Sequence, residues 1–439
     1  METMVGLEPG QIGLIGVVVM ILLIFLGVRV VYAATIVGLA GMVSIIGWDA
    51  GAGMAGTIPH SKSVTYTLSV LPMFILIGFL AFHAGFTAAI FDAARKWLGW
   101  MPGGLAVASV FAAAGFAAVS GASTATAAVF SRVAIPEMLE AGYNKRLAAG
   151  VIAAGGTLAS LIPPSAILVI YAIIVEESVG RLLLAGFIPG IFSALIYGIM
   201  IVGMAWAKPD LGRPIKGFTW GDRIKSVPGT LPIIAVITII FSAMYLGWAT
   251  PTEAGALGAG VVFVFALING MRWDNLKEAL LETSKLTVMI FSIIWGVLVF
   301  VRFLGFAGLP EAFAEWVVSL PLPPILIMIG ILLFYAILGM FMDAIGMLLL
   351  TLPVVYPAVI ALGYDPIWFG IIVVKMAEIC LITPPIGLNC YVVSGVRPDI
   401  PVNEVFRGIL PFFIADVVTV GLLLAFPAII TWLPNQMLN

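Results

Sequence analysis

Apolar residues in this chain come in long unbroken runs, with no extended alternation of apolar and polar positions. Runs of about 20 such residues, the length a helix needs to cross a bilayer, recur from end to end. The pattern predicts helices near 12–28, 30–47 and 66–83, then an amphipathic piece at 87–98 (TAAIFDAARKWL). A Gly- and Ala-rich apolar zone follows at 103–138, then a span at 148–175 and a helix at 182–206. The polar stretch 208–228 (KPDLGRPIKGFTWGDRIKSVP), with five Lys/Arg and two Asp, is the largest break in hydrophobicity. Its basic character places it in the cytoplasm and makes it a natural linker between two halves. The second half predicts helices near 229–247 and 252–270, an amphipathic piece at 272–285 and a span at 286–304. A short amphipathic segment at 309–320, apolar zones across 323–362, a span at 367–394 and a last helix near 408–433 complete it. The expected class is an all-α polytopic membrane protein, and the lack of alternating segments argues against a β-barrel.

The halves share landmarks. Pro163-Pro164 and Pro384-Pro385 lie 221 residues apart, and the same offset carries Pro136 onto Pro357 and Gly142-Tyr143 onto Gly363-Tyr364. Two structural repeats are therefore expected. The helix count permits the odd number of crossings that an inverted relation requires, and inversion is the expectation. Paired broken helices in such repeats point to the binding site of a secondary transporter.

Composition agrees. Of 439 residues, 62% are apolar and 10% charged, against roughly 25% charged in soluble domains; the mean hydropathy is +1.19. A net charge of −2 without a basic cluster gives no reason to expect a nucleic-acid partner. The two cysteines, Cys380 and Cys390, form no disulfide framework, and His60 and His83 are too few for a zinc or haem constellation. The first residues, METMVGLEPGQIG, lack the basic region of a signal peptide, so the first apolar run is expected to stay as a membrane helix.

Within 103–138, two apolar arms too short to cross alone flank the polar knot SGASTAT, Ser120 to Thr126. This describes a re-entrant hairpin whose tip lies inside the membrane, surrounded by protein or a water-filled cavity. Ser and Thr suit the N-cap of the returning arm, and Gly121 permits the turn. Exposed N–H groups at the tip favour an anion, while hydroxyls and carbonyls suit a hard cation. The plainer alternative is a small-residue packing face. The second half repeats the design with arms near 323–338 and 344–360 around GMFMDAIG, Gly339 to Gly346. Asp343 is a costly acid in apolar sequence, read either as a site residue or as a helix cap.

Each hairpin is followed by a proline-broken span, GGTLASLIPPSA (155–166) and AEICLITPPIGLN (377–389). Prolines deprive upstream carbonyls of partners: Ala159, Leu161 and Ile162 in the first span, Cys380, Leu381 and Ile382 in the second. With the Ser165 and Thr383 hydroxyls these are oxygen ligands suited to Na⁺; the alternative is a kink repaired by Ser and Thr. Lys375 and Glu378, three apart, can neutralise each other. Arg302 near a helix end is read as snorkelling to the interface, with attraction of an anion as the alternative. ATPTEAG fits a helix start, with Thr250 as cap and Glu253 in the first turn.

These segments resemble the large membrane subunit, dicarboxylate-type, of tripartite ATP-independent periplasmic (TRAP) transporters. The resemblance is carried by MPGGLAVASV (101–110), SGASTATAA (120–128), IPEMLEAGY (135–143), GGTLASLIPPS (155–165), ATPTEAGA (249–256) and LITPPIGLN (381–389). It implies the elevator-type fold of the ion-transporter superfamily, a scaffold plus a transport domain holding two hairpins and two discontinuous helices. It also implies Na⁺-driven uptake of a small organic anion, with no cofactor. The anion would be a carboxylate such as a C4-dicarboxylate, sugar acid or keto acid. The implied partners are a periplasmic solute-binding protein, a separate small four-helix membrane subunit and the lipid bilayer. The setting is the bacterial or archaeal inner membrane. One Na⁺ would lie among Ser120, Ser123, Ala159, Ile162 and Ser165, and a second among Gly339, Cys380, Thr383 and Ile386. The substrate would lie between the tips, at Ser123, Thr124, Pro164 and Asp343. The chain departs from the family's pattern at Ala122, where Ser is more frequent, and at Ala159 and Cys380, where Gly is common.

The expected division is 1–86 scaffold helices, 87–206 first repeat, 207–228 cytoplasmic linker, 229–285 scaffold helices and amphipathic arm, 286–407 second repeat and 408–439 C-terminal helix. A stand-alone ion-coupled carboxylate symporter or antiporter of the same superfamily is the alternative. An intramembrane enzyme using Asp343, His83 or Cys390 lacks a partnered nucleophile and base, and no GxxxxGK[ST] phosphate loop is present.

Overall fold

The computed structural model describes residues 6–436, which leaves the first five residues of the acidic N-terminal stretch outside it. The regular secondary structure of the described residues is all helical, with no strand among them. The helices of the first half are α1 Pro9–Phe25, α2 Val30–Ile46, α3 Trp48–Ser63, α4 Val70–His83, α5 Phe86–Leu98, α6 Gly104–Ser120, α7 Ser123–Glu140, α8 Lys145–Thr157, α9 Ala166–Val175 and α10 Val179–Ala207. Within the stretch expected as a linker, 207–228, lies α11 Trp220–Ser226; after it come α12 Leu231–Tyr245, α13 Pro251–Ile268, α14 Trp273–Phe306, α15 Leu309–Ser319, α16 Pro324–Gly339, α17 Ala344–Ala361, α18 Pro366–Cys380, α19 Leu388–Val396, α20 Val402–Ala425 and α21 Ala428–Asn435. Among the described residues, seven helices are long and apolar enough to cross a membrane, by length and composition. The chain is a multi-pass membrane protein.

Besides α11, three elements differ from the hydropathy reading. Helix α3 (WDAGAGMAGTIPHSKS) was not expected, because its small and polar residues carry no apolar run. The amphipathic piece 272–285 and the span 286–304 form the single helix α14, since no Gly or Pro separates them. The last helix starts earlier than expected, at Val402, and Pro427 separates it from α21.

One group of helices joins α1, α2, α4, α12, α13 and α14, with α2 on α14 and α4 on α13 and α14. The other holds the two helical pairs α6/α7 and α16/α17, the broken helices α8/α9 and α18/α19, and α10 and α20. Its packing is reciprocal. Helix α7 lies on α19 as α17 lies on α9, and α20 lies on α8 as α10 lies on α18. The α8–α20 crossing is close enough that a Cβ added at Gly408 would sit 2.0 Å from the Arg146 carbonyl oxygen. Such small-residue contact replaces the hydrophobic drive that lipid removes.

Buried aromatic side chains (Phe116, Phe130, Tyr171, Tyr197, Phe369 and Phe412) fill the second group, while apolar side chains such as Leu14, Ile199, Leu231 and Val264 point outward. An apolar exterior of this kind is what a lipid-facing surface requires.

Candidate functional site

The first hairpin turns on two residues, Gly121 and Ala122, between α6 and α7. Gly121 has φ +59°, and a Cβ there would lie 2.5 Å from the Pro164 carbonyl oxygen. The tip is thus pressed onto the first break at a place only glycine fits. The N-cap position of α7 is Ala122, without a side-chain cap. The expectation that a tip serine or threonine caps this arm is therefore corrected, because α7 starts at Ser123 and leaves Ala122 in the cap position. Ser120 Oγ lies 2.9 Å from Thr126 Oγ1. Ser123 Oγ lies 2.6 Å from Ser160 Oγ, a fully buried contact that ties the tip to the break.

The first break runs from a 3₁₀ turn at Leu158–Ser160 to Ser165, the N-cap of α9. Both proline pairs, Pro163-Pro164 and Pro384-Pro385, are joined by cis peptide bonds. The Ser165 hydroxyl donates to the Ser160 carbonyl and accepts from Leu168 N–H at 3.3 Å. The carbonyls of Ala159 and Ile162 accept no hydrogen bond among the described residues. Ser120, Ser123, Ala159, Ile162, Pro164 and Ser165 belong to this one tip-and-break assembly, and Thr124 lies exposed beside it. Its donor set of hydroxyls and uncommitted carbonyls fits a hard monovalent cation.

The second tip differs. Gly339 ends α16 so close to the second break that an added Cβ would sit 1.9 Å from Cys380 Sγ. Asp343 is the N-cap of α17, accepting from Gly346 N–H at 3.0 Å, which realises the capping role read from the sequence. The second-span carbonyls are not free, contrary to expectation. Cys380 accepts from Thr383 N–H at 3.3 Å, Leu381 from Asn389 N–H at 2.9 Å, and Ile382 from the Cys390 thiol at 3.6 Å. Thr383 in the break and the first turn of α19, at Asn389 and Cys390, supply these donors. The Thr383 hydroxyl donates to the Ile379 carbonyl at 2.6 Å, a helix repair. Ile386 lines a small apolar cavity with Phe25 and Leu338. Among the described residues no hydrogen bond or ion pair joins Asp343 to Ser123 or Thr124.

Three residues that the sequence reading passed over organise the region. Ser160 is the partner of Ser123. Asn389 donates to the Ala153 carbonyl at 3.0 Å, tying the second broken helix to the first. Asp416 completes a charge cluster, because Lys375 Nζ lies 2.8 Å from both Glu378 Oε2 and Asp416 Oδ1. Tyr197 donates to Asp416 Oδ1 at 2.7 Å. All four side chains are fully buried. The acid within the apolar run FFIADVV is the signal that could have found Asp416. Arg302 is exposed at the end of α14, consistent with snorkelling, and Thr250 and Glu253 form the expected capping box.

A family model described as "Tripartite ATP-independent periplasmic transporter, DctM component" matches residues 14–429. The C4-dicarboxylate TRAP transporter large permease protein DctM of Pseudomonas aeruginosa (strain PAO1) is 36% identical, over 84% of this chain and 86% of its own length. The protein of the same name from Vibrio cholerae is 34% identical, over 92% of this chain and 93% of its own. The crystal structure of the Alcanivorax borkumensis YdaH transporter matches with a TM-score of 0.54 at 14% identity, covering 86% of this chain and 88% of that one. That likeness shows a shared fold.

Proposed function

Because the chain belongs to the tripartite ATP-independent periplasmic transporter family as its DctM component, we propose that it carries a small carboxylate anion inward, driven by Na⁺. Relatives named as C4-dicarboxylate transporters make a C4-dicarboxylate the first substrate to test. The proposed assembly adds a periplasmic solute-binding protein and a small four-helix membrane subunit in the inner membrane. Energy comes from the ion gradient and not from ATP.

The reading rests chiefly on the reciprocal packing of hairpins and broken helices. It supports two repeats, inverted relative to each other, that form one transport unit able to slide against α1, α2, α4 and α12–α14. In this scheme the first Na⁺ lies between the Ser120/Ser123 tip and the Ala159, Ile162 and Ser165 oxygens. The second uses Gly339, Cys380, Thr383 and Ile386 through the lone pairs that single hydrogen bonds leave on carbonyl and hydroxyl oxygens. The substrate lies near Ser123, Thr124, Pro164 and Asp343, where the N-terminal ends of α7 and α17 favour an anion.

The test is uptake of labelled succinate into proteoliposomes holding both membrane subunits, with the purified binding protein outside. The expected result is uptake that requires an inward Na⁺ gradient and the binding protein. Uptake driven by a proton gradient alone would refute the coupling. Uptake without the binding protein would favour the stand-alone carrier.

A further inference from the structure

A cavity of about 210 Å³ opens beside the first hairpin tip, between α6/α7 and the α4/α14 wall. Its lining is mostly apolar: Gly78, Phe79 and Phe116 stand against Ala122, Ala125 and Val129 of α7. Only Ser120, Arg132 and Glu282 bring polar side chains to it. Positions 122, 125, 129 and 132 share one face of α7. The cavity borders Ser120 at the tip and Arg132 farther along α7, a rise of about 14 Å from Ser123.

Arg132 makes no ion pair or hydrogen bond among the described residues, although a carboxylate lines the same cavity. Glu282 is engaged elsewhere, with its Oε2 2.9 Å from His83 Nε2, while Glu278 approaches the other ring nitrogen at 3.7 Å. Arg132 is exposed at the mouth of the cavity, so its guanidinium is open to an incoming anion. A planar guanidinium grips a carboxylate through two parallel N–H donors.

We infer that this cavity is an anion subsite in which Arg132 receives one carboxylate of the transported anion between the hairpin tip and the α4/α14 wall. The inference deepens the carboxylate-transport reading and rests on it. Ser120 marks the tip end of the cavity and Arg132 the outer end, so the subsite is a staging post and not the ion half-site itself. Glu282 stands opposite as a like charge to the ligand, which favours onward release over tight capture.

Two readouts on the complete transporter test this. Ala125→Cys places a reporter thiol on the cavity wall, and the native Cys380 and Cys390 are buried. The rate of labelling by an anionic methanethiosulfonate is divided by the rate for its cationic analogue. Adding Arg132→Gln should lower that ratio about tenfold, and Glu282→Gln should raise it. In parallel, Na⁺-driven succinate uptake should show a higher half-saturation concentration in Arg132→Gln, largely restored by Arg132→Lys. A labelling ratio indifferent to Arg132 overturns the subsite. So does a changed ratio with succinate uptake unaltered, because the cavity then lies off the anion's route. If the intact transporter carries no succinate, the substrate reading fails separately, and the subsite still stands or falls on the labelling ratio.

Discussion

Lys375→Met removes the one cation from a fully buried cluster with two carboxylates. Each contact of 2.8 Å carries roughly 6 kcal/mol of Coulomb attraction at an effective dielectric of about 20. The carboxylates, bound to one nitrogen, repel each other by about 3 kcal/mol on the same scale. Losing Lys375 forfeits both attractions and keeps the repulsion. Asp416→Asn forfeits one attraction together with the repulsion and leaves a neutral Lys375–Glu378 pair. Desolvation offsets much of these gross figures. The net expectation is a loss of about 3–5 kcal/mol for Lys375→Met and about 1–3 kcal/mol for Asp416→Asn. The uncharged triple variant Lys375→Met/Glu378→Gln/Asp416→Asn should recover part of the loss, since no buried charge is then left unpaired. Unfolding of such a protein is irreversible in practice, so the measure is the fraction still monodisperse by size-exclusion chromatography after stepwise heating. The expected order of midpoints is wild type, Asp416→Asn, Lys375→Met, with the triple variant above Lys375→Met. Equal damage from Asp416→Asn and Lys375→Met would refute the charge accounting, and a wild-type midpoint for Lys375→Met would refute it more simply.

Gly121→Ala puts a methyl 2.5 Å from the Pro164 carbonyl oxygen at φ +59°, and Na⁺-driven uptake should fall to background while the protein still reaches the membrane. Gly339→Ala drives its methyl into Cys380 Sγ at 1.9 Å; overpacking of about 1–3 kcal/mol is expected in the heating assay, partly relieved by adding Cys380→Gly. Ser160→Ala leaves the buried Ser123 hydroxyl without its 2.6 Å partner, which should cost about 1–2 kcal/mol and raise the Na⁺ concentration for half-maximal uptake. Unchanged Na⁺ dependence would show that the Ser123–Ser160 contact does not shape the ion site. Asn389→Leu deletes the 3.0 Å hydrogen bond to Ala153, and a slower transport rate with unaltered Na⁺ dependence would identify it as a tie between the broken helices.

Most of what the chain shows of its architecture was legible in one dimension. Long apolar runs demand helices because hydrocarbon offers backbone groups no other partner. The prolines at 163–164 and 384–385 marked where two helices break, and SGASTAT and GMFMDAIG marked where two hairpins turn. The weakly apolar α3 and the unbroken α14 escaped because hydropathy reports runs and not continuity.

What a proline releases, by contrast, is decided by what folds back onto it. At the first break nothing reaches Ala159 and Ile162, so the sequence reading and the structure agree there. At the second, Asn389 and Cys390 return to cover Leu381 and Ile382. Likewise Asp416 lies 38 positions beyond Glu378, and only the packing of α20 and α10 beside α18 brings it and Tyr197 to Lys375. By itself the sequence determined which segments are helical and where they break, since local propensity and solvent settle both. The tertiary structure alone decided which buried oxygens and charges are satisfied, because that depends on partners far away in the chain.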